Sequence, residues 1–330
     1  EEEYGEETIV RIIDNLWKSA DFRDVLRWST GVPFEEIDRS WLRWLRKRIY
    51  PMVKSRDRAS DVSLPLVVDG FNTKPLWHRD GDSVYIVHIG NRTGYTCVYR
   101  SSVAGGESEV LVQGEKTDQF EAFHAYQLRM SLSSDGRLAF VTKSGGSDAL
   151  HITGRGGAEP VTTLRFRELV SLGSPSWAPD GCRLVIPGAG ASGSTDLYIV
   201  EGTSGAFDRL TADHYDERDP AWSPDGRRIA FSSDRGRHGV HGKYGLFTID
   251  PEGKRIDYLA GGDASYSSPS WVSDGSMLLC TSDLEGTHDI YVMRVNEPAA
   301  SRRALFRVSS LLGAALDPVW SDRGDVVFTA

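Results

Sequence analysis

Residues 218–233 read RDPAWSPDGRRIAFSS. The reading is a strand, a tight turn and a second strand. Asp219-Pro220-Ala221-Trp222 is expected to be extended, because a residue before proline is pushed out of the α region. Ser223-Pro224-Asp225-Gly226 is a turn: Pro224 presets φ, Asp225 can bond its own backbone, and Gly226 accepts φ > 0. Ile229, Ala230 and Phe231 then form the apolar centre of a β run. One hairpin says little about a fold, but this one recurs.

Aligned on the aromatic position, Trp77, Leu132, Trp177, Trp222, Trp271 and Trp320 are equivalent. Two residues earlier stand Pro75, Met130, Pro175, Pro220, Pro269 and Pro318, and four residues later Gly81, Gly136, Gly181, Gly226, Gly275 and Gly324. Asp80, Asp135, Asp180, Asp225 and Asp274 precede five of those glycines as turn formers, not general acids. After each turn comes a second strand such as IAFSSD, and after most a third such as DLYIV. A shorter polar fourth follows, such as DRLT. Four strands in a repeat of this length are the sequence form of a propeller blade, and such units must stack to bury both faces. The repeated tryptophans Trp77, Trp177, Trp222, Trp271 and Trp320 are predicted to wedge between neighbouring sheets.

The P-x-W-S-P-D-G…I-A-F…D-I-Y pattern resembles the PD40, or WD40-like, repeat of TolB-type propellers. The resemblance implies a mainly β fold, a six-bladed TolB-like β-propeller over 65–330 whose last blade is incomplete. Leu66–Val68 is the candidate strand for completing that blade. It also implies a periplasmic or cell-envelope location.

Residues 1–51 read as a helical segment, and 52–64 as a linker. Ile9, Ile12, Ile13, Leu16 and Trp17 share a helical face. Asp21 caps a second helix, Gly31 breaks it, and Pro33 opens a third that Pro51 ends. Four tryptophans (Trp17, Trp28, Trp41, Trp44) exceed what so small a core can hold, so these helices are expected to pack on something else. The order of the helices, the Gly31 break and the Trp41–Leu45 stripe resemble the C-terminal tail of peptidase MA (gluzincin-like) domains. That resemblance implies a zinc peptidase domain ahead of Glu1 and carries no catalytic residue into this chain. The opening EEEYGEE, without Met, reads as part of a longer protein.

The chain has a net charge of −9. Residues 1–60 hold equal numbers of acidic and basic side chains, so the repeats carry the whole excess, which argues against nucleic acid as a partner. The basic third helix (Arg39, Arg43, Arg46, Lys47, Arg48) reads as a solvated face rather than a membrane or nucleic-acid surface. No apolar run is long enough for a membrane-spanning helix. Cys97, Cys182 and Cys280 lack metal-like spacing and read as small buried strand residues.

There is no HExxH, no GxSxG and no Walker-type loop. No catalytic residue and no metal site is therefore predicted, and the fragment reads as no enzyme. The glycine-rich stretch 188–193 joins two strands and reads as a wide blade-edge loop, not a phosphate cradle. His238 and His241 lie in a glycine-rich insertion and read as a solvated loop rather than a metal site. The loops entering the innermost strands gather His124, Tyr126, His214, Tyr215, Asp216, Glu217, Tyr266 and Asp317 at one mouth of the channel. Aromatic and charged side chains on loops held by a rigid scaffold suit recognition of a protein or peptide. A cation in the channel, held by Asp219, Asp317 and carbonyls, is a further expectation, with no other cofactor. Two alternatives remain: a substrate-docking propeller for an upstream zinc peptidase, and a lectin-like small-ligand propeller. The second is disfavoured because every tryptophan of the repeats is committed to architecture.

Overall fold

The computed structural model describes residues 4–330 except 93, 116–118, 125–127, 158–159, 192, 237–238, 240–241 and 296–304. Tyr126, His238 and His241 lie outside the described residues. The chain divides into two compact units, Glu1–Asp57 and Arg58–Ala330.

In the first unit, α1 (Glu7–Asn15) runs into a short 3-10 turn, Leu16–Lys18. Helix α2 (Phe22–Thr30) starts where the Asp21 carboxylate accepts the Arg23 N–H. It ends at Gly31, whose φ of 74° is left-handed. Helix α3 (Phe34–Lys54) runs through Pro51 instead of stopping there. A proline so near the end of a helix removes one hydrogen bond while the remaining turn still closes. The face shared by Ile9, Ile13, Leu16 and Trp17 is exposed, with Trp17 at 81%. Thr8, Val25 and Ser29 are the buried side chains of α1 and α2.

The second unit begins with a short helix, α4 (Ala59–Val62). Blade one is β1 (Phe71–Asp80), β2 (Ser83–Asn91), β3 (Thr96–Ser102) and β4 (Glu109–Gln113), antiparallel in chain order. In blade two the inner strand is broken into β5 (Ala122–Phe123) and β6 (Ser131–Leu132). Both pieces pair β7 (Arg137–Ser144), which is followed by β8 (Ser147–Arg155) and β9 (Thr162–Leu164). Blade three repeats the break with β10 (Ser171–Leu172) and β11 (Ser176–Trp177) on β12 (Arg183–Ala189), then β13 (Thr195–Glu201) and β14 (Phe207–Arg209). Blade four is β15 (Glu217–Trp222), β16 (Ile229–Ser233), β17 (Gly245–Ile249) and β18 (Ile256–Ala260). Blade five is β19 (Tyr266–Trp271), β20 (Met277–Ser282), β21 (Asp289–Arg294) and β22 (Leu305–Arg307).

The expected six blades are therefore five. The sixth repeat is a two-stranded hairpin, β23 (Leu316–Trp320) and β24 (Val326–Thr329). Leu66–Val68 forms no strand. A fourth strand pairs with the exposed edge of a third, and among the described residues the sixth repeat contributes only β23 and β24.

The core lies between blades. Trp177 packs with Ala139, Val141 and Leu150 of blade two and Leu184 and Ile186 of blade three. Trp222 does the same between blades three and four, Trp271 between four and five. Trp320 packs with Leu279 and Ile290 of blade five. Arg137, Arg183 and Arg228 of the preceding blades lie 4.8, 5.4 and 5.1 Å from the rings of Trp177, Trp222 and Trp271, in cation–π range. The turn of the opening stretch forms as read: Ser223 Oγ donates to Asp225 at 2.6 Å, and Gly226 has φ 73°. Cys97 and Cys280 are buried strand residues, whereas Cys182 is exposed in the turn before β12.

Candidate functional site

One register detail organises the channel. The innermost strands slip register at Thr73/Leu76, Arg218/Ala221, Ser267/Ser270 and Leu316/Val319, one bulge in each of the first, fourth, fifth and sixth repeats. At each bulge the residue before the proline takes a left-handed φ: Lys74 55°, Asp219 49°, Ser268 51° and Asp317 52°. Asp219 is thus not extended, contrary to the pre-proline rule. Left-handed backbone at a non-glycine residue costs about 1–2 kcal/mol and persists where side-chain bonds fix it.

Those bonds form a belt. Lys74 Nζ donates to Asp317 Oδ1 at 3.0 Å, and Ser268 Oγ donates to the same oxygen at 2.9 Å. Ser268 N donates to Asp219 Oδ2 at 3.3 Å, and Ser174 Oγ to Asp219 Oδ1 at 3.2 Å. Arg129 N donates to Ser174 Oγ at 3.0 Å, while Arg129 Nη1 donates to the Pro269 carbonyl at 3.0 Å. That last bond joins the second repeat to the fifth, which face each other across the axis. All six belt residues occupy one column of the repeat, three places before the aromatic. Asp219 and Asp317, expected to hold a cation, accept these donors of the chain itself. Lys74, Arg129, Ser174 and Ser268 went unremarked in the sequence because alignment drew attention to what repeats, and this column varies.

The loop entering blade four builds the mouth. Asp216 Oδ1 accepts Thr195 N at 2.9 Å, and Asp216 N donates to Asp234 Oδ1 at 2.8 Å, pinning the loop to blades three and four. Glu217 is fully buried. It accepts hydrogen bonds from Thr211 Oγ1 at 3.1 Å and Ser233 Oγ at 3.3 Å, and pairs with the Arg235 guanidinium. Burial pushes its carboxyl up to about 7, against the opposing pull of Arg235. Arg235 also reaches Asp213 at 3.2 Å and lies 5.3 Å from the Tyr215 ring. On this base His214 is exposed, its ring 4.1 Å from that of Tyr215. Asp196, Asp213 and Glu217 come close enough to share a metal ion, but Arg209 is bonded to Asp196 and Arg235 to the other two.

The remaining residues separate from this group. His124 bonds Asp148 at 3.1 Å, and Asp148 also accepts Leu172 N, so His124 belongs to the seam of blades two and three. Tyr266 is buried at 3% exposure in the core between blades four and five, where burial pushes its phenol up to about 12. Asp317 is buried in the belt at 3%. Tyr266, Glu217 and Asp317 are therefore not surface groups: each side chain of an inner strand alternates between the seam and the channel, and these three point into packed or bonded positions. Arg218, absent from the sequence reading, lies 4.2 Å from the Tyr244 ring at the same mouth.

No family model matches the chain. It is 32% identical over 129 residues to the uncharacterized peptidase YuxL of Bacillus subtilis, covering 38% of this chain and 19% of that protein. Against the TolB homolog of Chlorobium chlorochromatii it is 30% identical over 151 residues, covering 46% of this chain and 31% of the relative. The chain thus spans a fifth to a third of the length of the curated relatives it matches. Among solved structures, TolB from Acinetobacter baumannii superposes with a TM-score of 0.59 at 17% identity, over 76% of this chain and 57% of that one. The fold is that of a TolB-like β-propeller. TolB homologues are periplasmic envelope proteins. None of these comparisons supports the peptidase MA resemblance of residues 1–51.

Proposed function

We propose that the chain is a non-catalytic β-propeller interaction module of the bacterial cell envelope, which binds a protein or peptide partner at the mouth of its channel. The observation that carries the reading is the pair of exposed His214 and half-buried Tyr215, held on a bonded base of Asp216, Glu217 and Arg235. A ring pair on a fixed loop presents apolar area with little ordering cost on binding. The belt beneath it adds a rigid floor. The TolB homologues, which bind protein partners, support the same assignment and a periplasmic site of action.

The test is capture from a cell-envelope extract by the wild type and by the His214→Ala/Tyr215→Ala double variant, both checked for an unchanged melting temperature. The wild type retains a defined partner and the variant loses it. Equal recovery by the two proteins sinks the assignment to this mouth.

A second reading rests on the peptidase relative. The matched portion of YuxL is a fifth of a longer peptidase, so the propeller of this chain would act as a docking or gating module for a catalytic domain elsewhere in the whole protein. The zinc type of that domain is implied by the resemblance of residues 1–51 alone. Peptidase activity of the full-length protein, abolished by a metal chelator, separates this reading from the first.

A further inference from the structure

Helix α3 changes character after its first turns. Glu35, Glu36 and Asp38 open it, but from Arg39 to Lys54 it carries six cations (Arg39, Arg43, Arg46, Lys47, Arg48 and Lys54) and no carboxylate. The whole chain has a net charge of −9, so this helix reverses the sign of the protein it belongs to. Helical spacing sorts its side chains. Arg39, Arg43, Arg46, Lys47 and Lys54 recur at intervals of three, four or seven residues and share one face. Trp41, Leu45 and Ile49 recur every four residues on the other, flanked by Leu42 and Trp44.

A basic face in water needs no explanation when the apolar face opposite it is buried. Here it is not. The start of the helix packs, with Phe34 and Ile37 half-buried and the Arg23 guanidinium 5.5 Å from the Phe34 ring. Beyond it Trp41 is 56% exposed and Trp44 42%, and Leu42 and Ile49 are exposed with them. Leu45 is half-buried. Arg48 falls on the apolar side, where its guanidinium lies 5.1 Å from the Trp44 ring in a cation–π contact. Helix α1 also exposes an apolar face, but Glu7 and Asp14 stand against Arg11 there, so its charge selects no partner.

We propose that α3 docks on an anionic lipid surface, lying in the plane of the interface. Trp41, Leu45 and Ile49 enter the boundary between headgroups and acyl chains, and the arginines and lysines face the lipid phosphates. A helix with tryptophan and aliphatic residues on one side and cations on the other takes this position, its apolar face roughly 5–10 Å deep. Long basic side chains reach the headgroup layer by extending along their stems, and those farther out still act within a Debye length of about 8–10 Å. A nucleic acid would pair with the cations and leave the tryptophan face in water. A lipid surface satisfies both faces at once. The helix lies on the bilayer and does not cross it, because no helix of the described residues is long and apolar enough to span. It shares no residue with the channel mouth, so the two proposals stand or fall separately.

The experiment sediments the full chain with vesicles of phosphatidylcholine mixed with phosphatidylglycerol and with vesicles of phosphatidylcholine alone, and follows tryptophan emission. A short DNA duplex serves as an anionic polymer without an apolar layer. The expected result is binding to the mixed vesicles, weakened by salt, much weaker on phosphatidylcholine, and accompanied by a blue shift of the emission. Arg43→Gln/Arg46→Gln/Lys47→Gln lowers the affinity about tenfold or more, since each cation near such a surface contributes severalfold. Trp41→Phe/Trp44→Phe keeps most of the binding and loses the blue shift. Both variants keep the wild-type helicity and melting temperature, and the His214→Ala/Tyr215→Ala variant keeps vesicle binding. No binding to the mixed vesicles, equal binding to phosphatidylcholine alone, binding to the duplex but not to vesicles, unaltered affinity in the glutamine variant, or a blue shift that persists in the phenylalanine variant overturns the proposal.

Discussion

The seams inside the propeller and the seam that closes it are built differently. Between blades three and four, Trp222 is buried among Ala178, Val185, Leu197 and Phe231, with Arg183 over its ring. Where the first blade meets the sixth repeat, β1 lies against β23 and β24, and the bonds are polar. Trp77 Nε1 donates to Asp322 Oδ1 at 2.8 Å, Arg79 pairs with the same carboxylate, and Lys74 reaches Asp317. The same tryptophan column thus serves as a wedge at one seam and as a hydrogen-bond donor at another. A four-stranded neighbour offers a continuous apolar sheet to pack on. A two-stranded one does not, and charge pairing takes over.

The largest effect that tests this contrast is expected at an interior seam. Phe231→Ala removes a fully buried ring and leaves a cavity between two sheets, costing about 3–5 kcal/mol in chemical denaturation. A loss smaller than that of any closing-seam variant would reverse the comparison.

Next comes the belt. Lys74→Met strands Asp317, 3% exposed, without its cation and is expected to cost about 3 kcal/mol. Adding Asp317→Asn removes the stranded charge, keeps an acceptor for Ser268 Oγ and suits the left-handed φ, so the double variant recovers most of the loss. Absence of recovery in that double-mutant cycle would show that the pair does not act as a unit.

The smallest effect is a change of pH dependence at the seam of blades three and four. Glu217 titrates near 7 in the folded protein against an ordinary 4.5, so the native state holds its proton longer than the unfolded chain. Its contribution is fully present below 4.5 and is lost as pH rises through 7. Melting curves between pH 4.5 and 7.5 should therefore decline more steeply for the wild type than for Glu217→Gln. Parallel profiles would remove Glu217 from the account. His88 and His151 act in the opposite direction: burial lowers both to about 4, so they withdraw stability as pH falls from 6.5 toward 4.

Much of the blade architecture was legible because it rests on local chemistry. Ser223, Asp225 and Gly226 close their own turn through bonds two or three residues apart. The count of blades was less legible. Six repeats of the turn suggested six blades, whereas pairing groups the described strands into five full sheets and the β23–β24 hairpin. Of the residues read as the mouth, His214 is exposed and Tyr215 half-buried, while Tyr266 is core. Tyr266 stands in the same column as Glu217, five places before the aromatic, and both begin an inner strand with a buried side chain, so the reading that put them on an exposed loop placed the strand start too late.

By itself, then, the sequence determined the repeat, its turns, its strands and the stacking of its tryptophans, because each depends on neighbours within one blade or the next. The belt and the closing seam were decided by the tertiary structure alone. Lys74 and Asp317 stand 243 positions apart and meet only because the blades close around an axis. Contacts of that kind have no period to betray them, and their energy comes from burial and charge that the folded ring creates.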